Sequence, residues 1–322
     1  MRLIMMGTGP FAVPTFRILF ERGHEVLALV TQPVRPTKGD RPPPPSPMRV
    51  VAEAHGTAIL DPESVNTPEA RTMLAALEPE LLIVADYGQI LSPETLGVAS
   101  RGGINLHGSL LPKYRGAAPI NWAMYNGDRE TGVSVIHMTP RIDAGPVLSQ
   151  ASLTIDPQEN AVQLETRLAE LGAPLVADTI EQMIRGEATS LVQDKSLASP
   201  ARRLRKTDGE VNWSRSATAI SNQVRALEPW PRTSTFWHRA QGAPLRLILG
   251  RVSVRSPESA TPASVQPGTV VTTNPSGLVV VTGAGLLQIE ELQPAGKRMQ
   301  LAAEFLRGYP VAAGDRLGPE PG

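Results

Sequence analysis

Residues 104–116 read Ile-Asn-Leu-His-Gly-Ser-Leu-Leu-Pro-Lys-Tyr-Arg-Gly, an apolar run that ends in polar side chains and is followed at once by glycine and proline. The run is the last of four short apolar runs that are separated by segments with helical periodicity. Strands that alternate with helices predict βαβ units and a mostly parallel sheet, buried on both faces. The four runs cover residues 2–6, 25–31, 80–85 and 102–107.

The remainder of the first half completes an α/β domain. The further predicted elements are helices at 12–22, 47–55, 67–77, 119–126 and about 160–185, and a strand pair at 132–139 and 146–154. We therefore expect a Rossmann-like domain over residues 1–188. Ligands of such sheets bind beyond the carboxyl ends of the strands, which is where Asn105 and His107 lie.

The second half is β-rich and follows a polar segment. Residues 186–210 are rich in Gly, Ser, Ala and charge and end in a basic stretch, so we assign 189–210 as a basic linker. A predicted helix at 214–226 precedes five short apolar runs with turn residues between them, which indicate a smaller OB-like β-barrel domain over residues 211–322. The five runs cover residues 233–238, 244–255, 268–273, 277–282 and 286–293.

Composition excludes several classes of protein. The chain has 322 residues with 41% hydrophobic content, enough for two domains with their own cores. It has no cysteine, which rules out disulfides, thiolate metal ligands and a cysteine nucleophile. It contains no run of eighteen apolar residues, and its start is too short and glycine-broken for a signal peptide. We expect a soluble, cytoplasmic monomer.

The net charge of zero hides an uneven distribution. Residues 1–194 carry −7, whereas residues 195–322 carry +7. Clustered Lys and Arg neutralise phosphates, so the asymmetry favours a polyanionic partner for the second half. Ordinary scatter of surface charge is the alternative.

The loop after the first run has the spacing of a dinucleotide-binding motif. Residues 7–12, Gly-Thr-Gly-Pro-Phe-Ala, satisfy G-x-G-x-x-[GA]. Two features argue against a nicotinamide enzyme. The second run ends Val30-Thr31-Gln32-Pro33 without the expected acidic residue, and Pro10 removes an amide that would contact phosphate.

Asn105 and His107 form a candidate catalytic pair. Positions i and i+2 of a strand share a face, so the carboxamide and the imidazole point into one crevice. Two such donors stabilise negative charge that develops on oxygen during acyl transfer. Asp143 is the best placed carboxylate to take up a proton, because Gly145 permits an unusual backbone conformation and Pro146 forbids helix, which holds the aspartate on a tight turn.

Simpler explanations stay open at this point. Asn105 and His107 equally suit a cap for the following helix, and Asp143 an ordinary turn. Ser109 is no nucleophile elbow, because G-x-S-x-G requires a glycine two residues after the serine, so it is expected to hydrogen-bond a ligand or the backbone. The five histidines are never three or four residues apart, so no metal site is predicted. His137 suits a core or edge position, and His24, His55 and His238 suit surfaces or turns.

The segment Asn105–Pro112 followed by Arg115-Gly116, with Asp143-Ala144-Gly145 further on, resembles the signature of formyltransferases that use 10-formyltetrahydrofolate. Further segments are similar to the branch of that family that acts on initiator methionyl-tRNA, and the resemblance runs from about residue 2 to 317. These segments are Thr31-Gln32-Pro33 before a basic Pro-rich loop, Lys206-Thr207-Asp208-Gly209, Trp230-Pro231 and Gln293-Pro294-Ala295-Gly296-Lys297.

The resemblance implies an enzyme of translation initiation that transfers the formyl group of 10-formyltetrahydrofolate to the amine of methionine on initiator tRNA. It assigns Asn105 and His107 to oxyanion stabilisation and Asp143 to proton removal. The implied folate-binding residues are Ser109, Leu110, Leu111, Pro112, Tyr87, Gly88 and Ile90. The implied tRNA-binding residues are Lys38 and Arg41 of the Pro-rich loop and Arg202, Arg203, Arg205, Lys206, Lys297 and Arg298. No metal is implied.

Three departures from the family pattern stand out. Gly9-Pro10 replaces proline followed by an acidic residue, Asp86 replaces a small residue before Tyr-Gly, and the Pro-rich loop carries fewer positive charges than is typical. The alternatives are a formyltransferase for another amine, such as an amino-sugar nucleotide, a catalytically idle RNA-binding protein, and the dinucleotide oxidoreductase that the missing acidic residue disfavours.

Overall fold

The computed structural model describes residues 1–35, 46–239, 241–255, 265–274 and 277–320. The described chain forms two compact units. The first consists of Met1–Ile120, Arg129–Ile155 and Gln163–Arg203, and the second of Asn121–Asp128, Asp156–Val162 and Leu204–Gly322.

The elements follow in chain order. Up to residue 203 they are β1 (Arg2–Met6), α1 (Val13–Glu21), β2 (Glu25–Val30), α2 (Pro47–Ala54), β3 (Ala58–Leu60), α3 (Pro68–Ala75), β4 (Leu81–Val84), α4 (Pro93–Leu96), β5 (Gly103–His107), β6 (Arg115–Gly116), α5 (Pro119–Asn126), β7 (Glu130–His137), β8 (Val147–Thr154), α6 (Ala161–Arg185) and β9 (Pro200–Ala201). Thereafter they are α7 (Ala217–Ala226), β10 (Thr233–His238), β11 (Leu245–Leu249), β12 (Val252–Arg255), β13 (Val270–Asn274), β14 (Gly277–Val281), β15 (Leu286–Ile289), β16 (Glu291–Pro294), β17 (Gln300–Leu301), α8 (Ala302–Gly308) and β18 (Arg316–Gly318).

The first unit is built on a seven-stranded sheet with the order β3-β2-β1-β4-β5-β7-β8. The five strands from β3 to β5 are parallel, and β7 and β8 run antiparallel at one side. The predicted mostly parallel α/β sheet is therefore confirmed. Residues 3–6 and 81–84 are buried along their whole length, which explains why β1 and β4 are continuous apolar runs without alternation.

Helix α6 fixes the strand that carries the candidate pair. A β-carbon at Gly172 would lie 2.7 Å from Leu106 Cδ2, so the glycine permits close packing of the helix on β5. The helix is 25 residues long and contains Pro174. Within the part of the chain that the structure describes, no helix is long and apolar enough to cross a membrane.

The short elements β3 and α4 of the first unit, like the two-residue strands β6 and β9, were not predicted. β3 has only three residues at the edge of the sheet, too few for a period to be visible. α4 has four residues after Ser92, whose Oγ accepts the N–H of Thr95 at 3.2 Å. A capped single turn of this kind is fixed by its hydrogen bonds, so no apolar stripe reveals it.

The second unit contains two antiparallel sheets, with the orders β17-β16-β11-β10-β18 and β12-β15-β14-β13. The prediction of five strands was wrong, because the runs 244–255 and 286–293 are each divided between the two sheets. Gly250 donates its N–H to Glu291 O at 2.8 Å, and Glu290 to Arg251 O at 2.9 Å, at these breaks. One apolar core that includes Leu247, Leu287 and Phe305 lies within the unit.

Candidate active site

The carboxyl ends of β4 and β5 lie side by side in the seven-stranded sheet. Val84 is the register partner of Asn105, and Asn105 is opposite Ile136 of β7. Asn105 and His107 are two residues apart on β5, so their side chains share a face. His107 is buried, whereas Asn105 is half-buried and its carboxamide has no hydrogen-bond partner among the described residues. The Asn105 carboxamide is therefore available to a ligand.

His107 is oriented by a backbone carbonyl. Its Nε2 atom lies 2.9 Å from Tyr114 O. Since a carbonyl oxygen only accepts, Nε2 carries a hydrogen in both charge states of the ring. The Nδ1 atom lies 3.7 Å from Asp143 Oδ2, longer than a hydrogen bond. Nδ1 is therefore the atom that gains or loses the proton, and His107 has a second N–H to donate only as imidazolium.

Asp143 lies on a strained turn between β7 and β8. Its φ angle is 50°, in the left-handed region that few non-glycine residues occupy and that recurs at functional sites. Its Oδ2 atom accepts the N–H of Gly116 at 2.8 Å. The unusual backbone that we predicted at Gly145 thus occurs at Asp143 instead. Gly145 is required for a different reason, because a β-carbon there would collide with the carbonyl oxygen of His137.

Gln193 anchors the turn that carries Asp143, and sequence reasoning missed it. Its Nε2 atom donates to Asp143 O at 2.9 Å and to Gly145 O at 2.7 Å. Its Oε1 atom accepts two bonds from the Arg115 guanidinium, at 2.7 and 3.1 Å. Gln193 is buried and lies 50 residues beyond Asp143 in the chain. A lone glutamine in a polar segment has no spacing that marks it.

The segment around Gln193 belongs to the first unit, although we predicted residues 189–210 to be a linker. Leu191 pairs with Val147 of β8, and β9 pairs in parallel with β6. Ser199 Oγ accepts the N–H of Tyr114 at 3.0 Å. Residues up to 203 thus support the loop that follows His107. Isolated bridges between polar segments leave no periodic pattern, so the sequence gives no sign of them.

Ser109 holds the loop after β5 from within. The serine is fully buried, and its hydroxyl donates to Lys113 O at 2.7 Å. Ser134 Oγ donates to Ser109 O at 2.6 Å and accepts the N–H of Leu111 at 3.0 Å. Gln150 Nε2 closes the network by donating to Leu111 O at 2.9 Å. The ligand contact predicted for the Ser109 side chain does not fit this enclosure, whereas the predicted bond to the backbone does.

The other predicted folate-binding residues differ in exposure. Leu111 and Tyr87 are buried, Leu110 and Pro112 are half-buried, and Gly88 and Ile90 are exposed. The Tyr87 ring packs in the apolar core, where burial raises the pKa of its hydroxyl to about 12 and leaves the oxygen without a partner among the described residues. The Tyr87 carbonyl oxygen accepts Thr8 Oγ1 and Gln32 Nε2, each at 3.1 Å, so neither the hydroxyl nor the carbonyl is open and a polar ligand contact falls to the N–H.

Asp86 enters the glycine loop that follows β1. Its carboxylate accepts the N–H of Gly9, and a β-carbon on Gly9 would collide with Asp86 Oδ2. Its φ angle is 44°, a second strained position beside Asp143. The surrounding protein desolvates the carboxylate, although part of the side chain is exposed, and raises its pKa to about 6 against the opposing effect of the Gly9 bond.

This placement gives a further argument against a dinucleotide site. The amides of such a loop bind phosphate in dinucleotide-binding proteins. Here an internal carboxylate accepts the amide of Gly9, so a phosphate would meet a negative charge. Glu165 of α6 is close enough to interact with Asp86, because burial and, secondarily, the Asp86 charge raise the pKa of Glu165. The carboxylates at this loop disfavour an anionic ligand there.

The predicted tRNA-binding residues lie in three places. Lys38 and Arg41 fall outside the described residues. Arg202 and Arg203 are exposed on the first unit, and Arg205, Lys206 and Lys297 on the second. Arg298 is also exposed, but its guanidinium is paired with Glu304 at 2.8 Å.

The remaining histidines have structural surroundings. His24, predicted at a surface or a turn, directly follows the turn after α1 and is buried, and desolvation lowers its pKa. His137 is half-buried on β7, where desolvation also lowers its pKa. His55 stacks on Phe20 with ring centroids 3.9 Å apart, and His238 Nε2 is 3.1 Å from Pro319 O. In the described ranges, no group of three or more His, Asp or Glu side chains is placed to hold a metal ion.

The arrangement around β5 combines an unpaired carboxamide, an imidazole with one free ring nitrogen and a fixed carboxylate. Amide and imidazolium N–H groups stabilise an oxyanion, and a carboxylate accepts a proton. An α/β sheet that presents these groups at its strand ends defines a class of enzymes that transfer acyl groups.

Comparison with known sequences identifies the family within this class. The family model described as "Formyl transferase" matches residues 1–180, and that described as "Formyl transferase, C-terminal domain" matches residues 203–310. The chain belongs to the formyltransferase family. It is 41% identical to a methionyl-tRNA formyltransferase of Citrifermentans bemidjiense, over 99% of this chain and 96% of the relative. It is 38% identical to that of Halalkalibacterium halodurans, over the full length of both.

Solved structures show the same fold at low sequence identity. An N-formyltransferase from Helicobacter canadensis, solved with folinic acid and dTDP-3-aminofucose, aligns with a TM-score of 0.66 and 16% identity over 89% of this chain and 98% of the other. HypX from Aquifex aeolicus, solved with tetrahydrofolic acid, aligns with a TM-score of 0.61 and 16% identity over 95% of this chain and 46% of the other.

Proposed function

We propose that this chain transfers the formyl group of 10-formyltetrahydrofolate to the α-amino group of methionine on initiator methionyl-tRNA. The observation that carries the proposal is the placement of Asn105 and His107 at the end of β5, with Asp143 of the turn between β7 and β8 beside His107, in a formyltransferase fold. The full-length relatives named methionyl-tRNA formyltransferase support the choice of amine.

The chemistry assigns one task to each of the three side chains. The amine nitrogen attacks the formyl carbon, and the carbonyl oxygen becomes an oxyanion that accepts hydrogen bonds from the Asn105 carboxamide and His107 Nδ1–H. The bond between the formyl carbon and N10 of the folate then breaks, and N10 takes up a proton. Asp143 accepts the proton that the attacking nitrogen releases. Asp143 Oδ2 lies 3.7 Å from His107 Nδ1, so the proton acceptor and the oxyanion donor face the same point.

The formyl donor is proposed to lie between the loop after β5 and the turn after β4. Leu110, Leu111 and Pro112 provide apolar contacts, and the backbone from Tyr87 to Ile90 provides polar contacts to the pterin. Ser109 maintains the shape of this wall through its bond to Lys113 O.

The second unit is proposed to bind the tRNA. Its two sheets share strands that are nearly continuous across Gly250 and Glu290, which supports an OB-like barrel over about residues 211–322. Arg202, Arg203, Arg205, Lys206 and Lys297 are proposed to contact phosphates, with Lys38 and Arg41 near the acceptor end. We further propose that residues 1–188 form the catalytic domain and that the protein acts as a monomer in the cytoplasm.

The direct test is incubation with 10-formyltetrahydrofolate and initiator Met-tRNA, with uncharged tRNA and an amino-sugar nucleotide as controls. Formyl-methionine released from the tRNA is the expected product. Formylation of the amino sugar without formylation of Met-tRNA would replace the proposed substrate, and absence of formyl transfer to either would refute the proposal.

A further inference from the structure

We propose that Trp230 is a stacking platform for an unpaired nucleotide base of the tRNA, and that Arg205 and Lys206 bind the phosphates next to that base. The inference rests on the proposed function, because it names a residue that would hold the proposed RNA substrate.

Trp230 differs from Trp213 and Trp237 in its exposure to solvent. Its side chain is 54% exposed, whereas Trp213 and Trp237 of the same unit are buried. The buried indoles satisfy their N–H groups, Trp213 on Thr235 Oγ1 and Trp237 on Asp315 Oδ2, each at 3.0 Å. An exposed indole leaves a large aromatic face in water, and such a surface indicates a binding site more often than a scattered exposed aliphatic residue does.

The backbone around Trp230 is held firmly. Pro229 and Pro231 flank the residue and restrict its main chain. The N–H of Arg232 donates to Leu227 O at 2.9 Å, and the Arg232 guanidinium pairs with Glu228 at 3.3 Å. An aromatic side chain on a restrained turn loses little conformational freedom when a ligand stacks on it.

Two cationic side chains lie on the neighbouring turn. A β-carbon at Gly209 would collide with Arg232 O and would lie 3.5 Å from Pro231 Cγ, so the 3-10 turn Lys206–Gly209 packs directly against the Trp230 turn. Gln223 Nε2 holds that turn in place by donating to Asp208 O at 2.8 Å. Asp208 Oδ2 accepts the backbone N–H of Arg205 at 2.6 Å, whereas the exposed side chains of Arg205 and Lys206 form no ion pair in the described part of the chain.

A third cation belongs to a segment that is hydrogen-bonded to the same turn. Arg232 Nη1 donates to Gln293 Oε1 at 3.2 Å, and Gln293 Nε2 donates to Lys297 O at 2.7 Å. Glu228, the acidic residue of the Trp230 turn, is paired with Arg232 at 3.3 Å. The turn that presents the exposed indole is therefore joined to two segments that carry exposed lysines, Lys206 and Lys297.

This combination favours single-stranded RNA over a protein as the occupant. Bases stack on aromatic rings, and flanking cations bind the phosphates of the same strand. A docking surface for a protein requires a contiguous apolar patch. Within residues 204–250, as far as the structure describes them, Trp230 is the one large hydrophobic residue with an exposed side chain.

The test compares tRNA binding by Trp230→Leu, Trp230→Phe and Lys206→Ala with the unsubstituted protein at several salt concentrations. Loss of one stacked base predicts that Trp230→Leu raises the Kd for tRNA about 5- to 150-fold, with an unchanged slope of log Kd against log salt. Trp230→Phe keeps a ring and is expected to recover most of the affinity. Lys206→Ala is expected to reduce the salt slope by about one phosphate contact.

Val254→Ala is the matched control, because Val254 is also an exposed apolar residue of the second unit, at 46% exposure. We expect it to leave the Kd unchanged. A blunt RNA duplex, which offers no unpaired base, should bind the unsubstituted protein and Trp230→Leu equally. Quenching of indole fluorescence by tRNA, present in the unsubstituted protein and reduced in Trp230→Phe, tests stacking without relying on the leucine variant.

The outcomes separate this inference from the proposed function. If Trp230→Leu and Trp230→Phe both bind tRNA like the unsubstituted protein, the stacking role is wrong, while formylation by the unsubstituted protein would still support the proposed function. Equal loss of duplex binding by Trp230→Leu would also overturn stacking. If the unsubstituted protein neither formylates nor binds Met-tRNA, the proposed function fails first.

Discussion

At the scale of single residues, the structure assigns the ring nitrogens of His107 to different tasks. The carbonyl of Tyr114 occupies Nε2–H, so only Nδ1 changes its protonation. The sequence predicted that Asn105 and His107 share a face, but it left the charge state of the ring open. Asp143, on a backbone with φ of 50°, places its Oδ2 atom 3.7 Å from Nδ1.

Asp143→Asn removes the proposed proton acceptor and keeps the size of the side chain. We expect kcat for formyl transfer to fall by about 10²- to 10⁴-fold, because this is the usual contribution of a positioned acid or base. Rapid-quench or steady-state assays with saturating tRNA measure the loss, and the Kd for tRNA is expected to stay unchanged.

Asp178→Asn is the control for that variant, because Asp178 is a surface carboxylate paired with Arg22 at 3.0 Å. It should keep the activity of the unsubstituted protein. An active Asp143→Asn enzyme would remove Asp143 from the mechanism.

The raised pKa of Asp86 predicts that the stability of the protein changes with pH. Its pKa is raised from 3.8 to about 6, chiefly by desolvation, so the folded protein keeps this proton at pH values where the unfolded chain has lost it. Stability linked to Asp86 is therefore present below about pH 4 and is lost as the pH rises to about 6. In Asp86→Asn this change disappears, so the melting temperature of the unsubstituted protein should fall relative to the variant over that range.

Thermal melts of both proteins at intervals from pH 4 to pH 7 measure this difference. Nuclear magnetic resonance titration of the Asp86 carboxyl carbon checks the pKa directly. Parallel melting curves across the range, together with an unshifted titration, would show that the carboxylate is solvated as in an ordinary surface aspartate.

At the scale of elements, the loop from β7 to β8 depends on a glycine that touches backbone. Gly145→Ala places a β-carbon against His137 O, and backbone cannot rotate away as a side chain can. We expect destabilisation of about 1–3 kcal/mol in urea unfolding. Displacement of Asp143 by about 1 Å would reduce kcat by about 100-fold.

Gly308→Ala is the matched substitution, because a β-carbon at Gly308 would meet no atom within 4 Å. It should leave activity and unfolding unchanged or slightly improve the latter. Full activity and stability of Gly145→Ala would show that the loop adapts without moving Asp143.

The same element scale shows what the sequence could predict. Residues 12–22 and 119–126 were expected to be helices, and the structure has Val13–Glu21 and Pro119–Asn126, because their apolar positions repeat with a helical period over two turns or more. β3 escaped prediction because three residues hold no period. Gln193 was not predicted because its role depends on hydrogen bonds to residues about 50 positions away in the chain. A local sequence pattern reports only on neighbouring residues.

At the scale of the whole molecule, the division of charge along the chain accompanies the division of the proposed tasks. The proposed catalytic side chains lie before residue 194, where the net charge is −7, and most of the proposed phosphate contacts lie after it, where the net charge is +7. Composition alone predicted this division, since it requires no knowledge of contacts. Composition did not predict the ion pair between Arg298 and Glu304, which makes Arg298 less available to a phosphate than the other proposed residues.

The charge division predicts a steep salt dependence of tRNA binding. If about three phosphates are neutralised, affinity should fall on the order of 20-fold between about 50 and 200 mM salt. Filter binding or fluorescence titration at four salt concentrations gives the slope. A flat line would contradict phosphate binding by the second unit, whereas formyl transfer at low salt would be unaffected by that result.

The hydrogen bond between the Asp86 carboxylate and the Gly9 amide affects how free nucleotides compete for this loop. A tethered carboxylate competes for the Gly9 amide at an effective concentration that the fold sets and that dilution never lowers. Free phosphates and dinucleotides must displace it before they bind. A loop with the spacing of a nucleotide site thus holds a carboxylate of its own fold that competes with free nucleotides at every concentration.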